Sequence, residues 1–182
     1  MEHKYQQQLM SVVKDAIYHG LEYNQILGVE TKNFDSILSE KKATFVTLTI
    51  NGNLRGCIGT LIAYQPLVID LADNAFSAAF NDPRFPPLQK NEFKKLEYHI
   101  SILTAPSPIQ FIDEQDLQQK IRPNIDGLVL SEDSKQSTFL PSVWEQLPNK
   151  SDFLKHLKLK AGLPENYWSD TIRVERYQVD KF

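Results

Sequence analysis

The residues best suited to chemistry lie in "LRGCIG", Leu54 to Gly59, and in "DPRF", Asp82 to Phe85. The first holds the only cysteine of the chain, Cys57, with Arg55 two residues before it. On a strand, alternation puts Arg55 and Cys57 on one face and Leu54 and Ile58 on the other. A guanidinium beside a thiol favours the thiolate, which is the reactive form. Gly56 and Gly59 bring no Cβ and leave backbone amides open to a ligand or a close-packed neighbour. The plainer reading has Cys57 as a small hydrophobe in a tight sheet, and spacing alone favours it. In the second stretch Asp82 and Arg84 sit on a proline-stiffened corner. Arg55 and Arg84, brought together, would offer two forks for a carboxylate or phosphate. Asp82 is a candidate catalytic carboxylate, but a salt bridge that merely holds the loop is the preferred reading.

Other motifs are weaker. "GCIGT" fits neither a phosphate loop nor a dinucleotide fingerprint, and Gly56 stands one place too near Cys57 for a nucleophile elbow. His99 is the best acid–base candidate, because imidazole titrates near neutral pH. It lies mid-strand with Ser101 on its face, and no spacing ties it to Cys57. Asp152 and His156 are one helical turn apart, a surface pair rather than a metal site. No Cys-x-x-Cys pair exists, so no metal site is expected.

Elements must position these groups. Leu9, Val12, Val13, Ala16 and Ile17 trace one stripe of a first helix, with Gly20 as its expected stop. A helical turn is expected near Phe34 to Leu38. "TFVTLTI" alternates Val46, Leu48 and Ile50 against Thr47 and Thr49, as a half-buried strand does. Asn51-Gly52 is a type I′ hairpin signal, so "LRGCIG" returns antiparallel. Pro66 opens a helix with apolar Val68, Leu71, Ala72, Ala75, Phe76 and Ala79, ended by Asp82-Pro83. "LEYHISILT" is a further strand. Asp113 caps a short helix, "DGLVL" and "STFLP" form a second hairpin, and Pro141 starts a short helix with Trp144. Ser151 caps a helix over Phe153, Leu154 and Leu157, closed by Gly162. "TIRVERYQV" reads as one strand with a bulge near Glu175-Arg176. The pattern is α+β, a mostly antiparallel sheet flanked by helices.

Whole-chain properties bound the classes. The 182 residues make one domain, or one with a small lobe attached, and 41% hydrophobic with 24% charged residues is ordinary globular usage. A net charge of −3 disfavours a nucleic-acid surface, which would be basic. The basic run "KHLKLK", Lys155 to Lys160, reads as a solvated helix face. No apolar run is long enough for a membrane span. The polar start "MEHKYQQQLM" and the single cysteine suit a cytoplasmic protein.

The motifs resemble the AMMECR domain family, also known as protein A of the AmmeMemoRadiSam systems. "FVTL", "NLRGCIGTL", "AFSAAFNDPRFPPL", "HISILTAPSPI", "DGLVL", "FLPSVWEQ" and "FLKHLKLKAGL" occur in that family's order, over nearly everything from about residue 5. The resemblance implies one domain over residues 1–182, of two unequal lobes with a cleft between them. The motif positions that carry over are Leu54, Arg55, Gly56, Cys57, Ile58, Gly59, Asp82, Arg84 and Phe85. It further implies a radical SAM protein and a Memo-type protein as partners, and it names no reaction or cofactor. Lys158 and Leu159 stand where some relatives place a second cysteine, which removes a two-thiol redox role. Two readings follow. One is a non-catalytic partner or adaptor. The other is an enzyme or enzyme subunit with Cys57, Asp82 and His99 as catalytic groups, and Arg55, Gly56, Gly59, Arg84 and Phe85 binding a small anionic ligand in the cleft. The adaptor is preferred, because spacing assembles no complete catalytic set.

Overall fold

The computed structural model describes all of Met1–Phe182. Its elements are α1 (His3–Tyr23), β1 (Thr44–Ile50), β2 (Asn53–Gly59), α2 (Leu67–Phe80), α3 (Lys90–Phe93), β3 (Leu96–Leu103), β4 (Ser107–Pro108), α4 (Glu114–Lys120), β5 (Gly127–Glu132), β6 (Lys135–Phe139), α5 (Lys150–Lys160), β7 (Arg173–Tyr177) and β8 (Val179–Lys181). Short 3-10 turns occupy Thr31–Asn33, Ser36–Ser39 and Pro141–Glu145. The fold is α+β, as the sequence pattern requires. Its strands form two four-stranded sheets, ordered β2-β1-β3-β8 and β4-β7-β5-β6. The chain divides into two compact units, Met1–Leu103 with Asp180–Phe182, and Thr104–Val179. No helix is long and apolar enough to cross a membrane.

In the first unit, the inward residues Val46, Leu48 and Ile100 of the sheet meet Leu71, Ala72, Ala75 and Ala79 of α2 and Leu9, Val13 and Ile17 of α1. Burying each large aliphatic side chain contributes roughly 2 kcal/mol. The small alanines of α2 let it lie across β1 and β2. Gly20 does not end α1. It sits inside the helix, where a Cβ would come within 2.3 Å of the Phe80 ring and 2.9 Å of Phe76. Its role is close helix approach. The helix stops at Asn24, in the left-handed conformation at φ 54°, whose N–H donates to the Gly20 carbonyl.

In the second unit, Leu128, Leu130 and Val174 of the sheet bury against Phe153, Leu154 and Leu157 of α5, with Trp144 stacked on Phe153 at 3.7 Å between ring centroids. Asp113 caps α4 as expected, accepting from the Asp116 N–H at 2.7 Å. Three expectations fail here. The cap of α5 is Asn149, whose side chain accepts from the N–H groups of Ser151 and Asp152. "KHLKLK" is not wholly solvated: Lys158 is buried, and its ammonium donates to both oxygens of Glu114 at 3.0 and 3.1 Å. "TIRVERYQV" is not one bulged strand. β7 belongs to the second sheet and β8 to the first; Glu175 and Arg176 pair in unbroken register inside β7, and the chain changes sheets at Gln178.

Candidate functional site

The β1–β2 hairpin turns on Asn51 and Gly52, at φ 52° and 74°, which is the geometry of a type I′ turn. Thr47 faces Cys57 and Leu48 faces Gly56, but Thr49 faces Leu54, leaving Arg55 as an extra residue in a bulge. The bulge breaks simple alternation. Leu54 stands on the Cys57 face, while Ile58, opposite Val46, stands on the helix-covered face, so Leu54 and Ile58 do not share a side. Gly56, opposite Leu48, lies under α2. A Cβ there would fall 2.0 Å from the carbonyl oxygen of Ala78. At Gly59 a Cβ would fall 2.3 Å from the Phe45 ring. Both glycines permit backbone to pack against a neighbour.

β2 is an edge strand, and an edge leaves backbone groups unpaired. At Cys57 the corner after α2 satisfies them. The Cys57 N–H donates to Asp82 Oδ2 at 2.9 Å, and Arg84 Nη2 donates to the Cys57 carbonyl at 3.2 Å. Asp82 also accepts from the Arg84 backbone N–H at 3.1 Å, from Nε at 2.9 Å and from Nη2 at 2.7 Å. The Arg84 guanidinium beside it, with the N–H groups of Cys57 and Arg84, outweighs burial and holds the Asp82 carboxyl well below the usual range. The Asp82 side chain is 2% exposed, while that of Arg84 is 54% exposed.

Arg55 reaches the segment that follows this corner. Its Nε donates to Glu92 Oε1 at 2.7 Å, and its Nη2 to Glu92 Oε2 at 3.1 Å and to the Pro86 carbonyl at 2.9 Å. Glu92 also receives the Gln89 N–H at 2.8 Å, closing a capping box on α3. The Arg55 contact comes first in keeping the Glu92 carboxyl ionised below its usual range. The ring of Phe85 lies near both guanidinium groups, 5.9 Å from Arg55 and 5.6 Å from Arg84. The two arginines thus converge on one aromatic ring, each already paired with a carboxylate.

The half-buried Cys57 sulfur lies 3.2 Å from Thr47 Oγ1. His99 faces Thr47 from β3, so Cys57, Thr47 and His99 form a row on one face of the sheet. Two strand spacings separate the backbones of Cys57 and His99 by roughly 10 Å, with Thr47 between them. The groups share a surface without forming a dyad.

Three residues beyond Cys57, at Thr60 just past the end of β2, lies a group that sequence reasoning missed. Asp70, in the first turn of α2, is fully buried. It accepts from the Thr44 N–H at 2.9 Å, from Thr44 Oγ1 at 2.7 Å, from Thr60 Oγ1 at 2.8 Å and from Asn74 Nδ2 at 2.9 Å. Burial raises its carboxyl pKa, against the lowering effect of these hydrogen bonds. A usable signal was present: Asp70 and Asn74 are polar residues one turn apart inside an apolar stripe. Glu92 was also missed, though Gln89-x-x-Glu92 has capping-box spacing.

Comparison with known proteins places the whole arrangement. A Thermotoga maritima protein is 31% identical over 183 aligned positions, covering 100% of this chain and 98% of its own length. A Methanosarcina barkeri protein, Mbar_A1807, is 38% identical over 159 positions, covering 87% of this chain and 77% of its own. The crystal structure of the uncharacterized protein PH0010 from Pyrococcus horikoshii superposes with a TM-score of 0.84 at 28% identity, covering 100% of this chain and 92% of that one. None of these names carries an activity. The AMMECR1 family matches residues 10–182, and the chain belongs to that family.

Proposed function

We propose that this protein is a non-catalytic partner, a rigid adaptor for the radical SAM and Memo-type proteins that its family resemblance implies. The observation that supports this most is the closure of the motif charges. Asp82 accepts hydrogen bonds only from within its own corner and from Cys57, and Arg55 is spent on Glu92 and Pro86. A carboxylate held ionised by an adjacent guanidinium is a poor proton donor or acceptor near neutral pH. The motif then serves to stiffen an edge strand and the surface around it. The test is binding of the purified chain to the radical SAM protein and to the Memo-type protein of the same genome, by sedimentation velocity. Complex formation with either, unchanged by Cys57→Ser, is the expected result. Failure to bind both contradicts the adaptor.

A second reading has its own observation. The Arg84 guanidinium is half-exposed, the Cys57 sulfur is half-buried, and His99 shares the Cys57 face. An enzyme or enzyme subunit acting on a small anionic substrate would use Arg84 and Arg55 to bind it and Cys57 as nucleophile. Rapid labelling of Cys57 by iodoacetamide in the folded protein, suppressed by inorganic phosphate, would favour that reading. Labelling only on unfolding would remove it.

A further inference from the structure

The second unit carries an open-mouthed cavity of about 610 Å³ beside β7, within the range of small-molecule sites. Its apolar wall includes Phe111 and Trp168, paired at 5.6 Å between ring centroids, and Ile112, which is 90% exposed. Its charged wall carries Asp170, Arg173 and Glu175, and no side chain of the protein engages any of the three in an ion pair. This is the reverse of the Asp82–Arg84 corner, where the carboxylate and the guanidinium are paired. Arg173 and Glu175 are two residues apart on one strand, so they stand on the same face about 7 Å apart. That spacing leaves room for a head group bearing a carboxylate and an ammonium on one carbon.

The wall is also built to stay in place. Tyr167, Ser169 and Thr171 all donate their hydroxyls to Oε1 of the buried Glu132, at 2.8, 2.6 and 3.0 Å. Trp168 and Asp170 line the cavity, with Ser169 between them. One buried carboxylate thus gathers the odd-numbered side chains of this loop and fixes the position of the even-numbered ones. Such preorganisation lowers the ordering cost of binding. The Ser169 hydroxyl, followed by Tyr167, keeps the Glu132 carboxyl below its usual range.

We infer that this cavity binds a zwitterionic α-amino acid with a large apolar side chain, its carboxylate on Arg173, its ammonium on Glu175 and Asp170, and its side chain against Phe111 and Trp168. The assignment does not depend on the adaptor reading. It is tested on the full chain by calorimetry, supported by tryptophan fluorescence, with three probes of one shape: L-phenylalanine, phenethylamine and 3-phenylpropionate. L-phenylalanine is expected to bind at least about tenfold tighter than either analogue that lacks one charge, about 1.4 kcal/mol. Arg173→Gln should remove that advantage over phenethylamine, and Glu175→Gln the advantage over 3-phenylpropionate. Both residues are on the strand surface, and circular dichroism checks that each variant is folded. Glu132→Gln, which loosens the loop, should weaken all three probes together. Equal binding by either single-charge analogue overturns the assignment, as does absence of binding by all three at millimolar concentration.

Discussion

Two carboxylates anchored three residues apart, at Cys57 in β2 and at Thr60 just past its end, are in opposite electrostatic states. At Cys57, Asp82 is buried against a guanidinium and backbone N–H groups, and its proton affinity falls. At Thr60, Asp70 is buried among hydroxyls and an amide with no cation, and its proton affinity rises. Burial is common to both. The charge of the partner decides the sign. The contrast locates the motif's stiffness at Cys57, where an ion pair, two backbone hydrogen bonds and a glycine contact coincide.

The largest effect that would sharpen this contrast comes from Gly56. A methyl group there meets the Ala78 backbone, which cannot move without displacing α2. Gly56→Ala should cost about 3 kcal/mol or more in urea unfolding, since overpacking against backbone is expensive. Gly28→Ala, where nothing lies within 4 Å, should change stability by less than about 0.5 kcal/mol and serves as the control. Next comes Arg55→Ala, which leaves the Glu92 carboxylate without its cation and the Pro86 carbonyl without its donor. A loss of about 2 kcal/mol is expected, with Glu92→Gln losing less because an amide oxygen still accepts.

The smallest effects are slopes against pH. Asp82 has a depressed folded pKa, so its contribution is present above the unfolded carboxyl value of about 4 and is lost as pH falls below it. Asp70 has a raised folded pKa, so its contribution is present below about pH 4 and is lost as pH rises through the folded value. Unfolding free energy measured from pH 3 to pH 7 should therefore lose its acid-side drop in Asp82→Asn and its opposing slope in Asp70→Asn. If both variants keep the native profile, the assignment of the two carboxylates is wrong.

Much of this was legible before any coordinates. Val46, Leu48 and Ile50 against Thr47 and Thr49 gave the strand, and Asn51-Gly52 gave the turn, because both signals are local. The prolines marked the Asp82–Arg84 corner as stiff, but its contact with Cys57 was not legible, because it depends on α2 packing across β1 and β2. What stayed hidden was non-local or a matter of one inserted residue. Alternation cannot reveal that Arg55 is a bulge, since the bulge is defined by its partner strand. Gly20 and Lys158 were misread because helix stops and basic runs look alike on a surface and in a contact. Their meaning depends on Phe76 and Phe80 for one and Glu114 for the other.

The central claim is that "LRGCIG" and "DPRF" form a strut whose charges are spent on structure. It is tested most directly by the urea-unfolding free energy of Asp82→Ala at pH 7. A loss of about 2–3 kcal/mol is predicted, because the Cys57 N–H and the Arg84 guanidinium lose their common acceptor and Arg84 is half in solvent. Stability within about 0.5 kcal/mol of the native chain would contradict the claim and return Asp82 to the list of free functional groups.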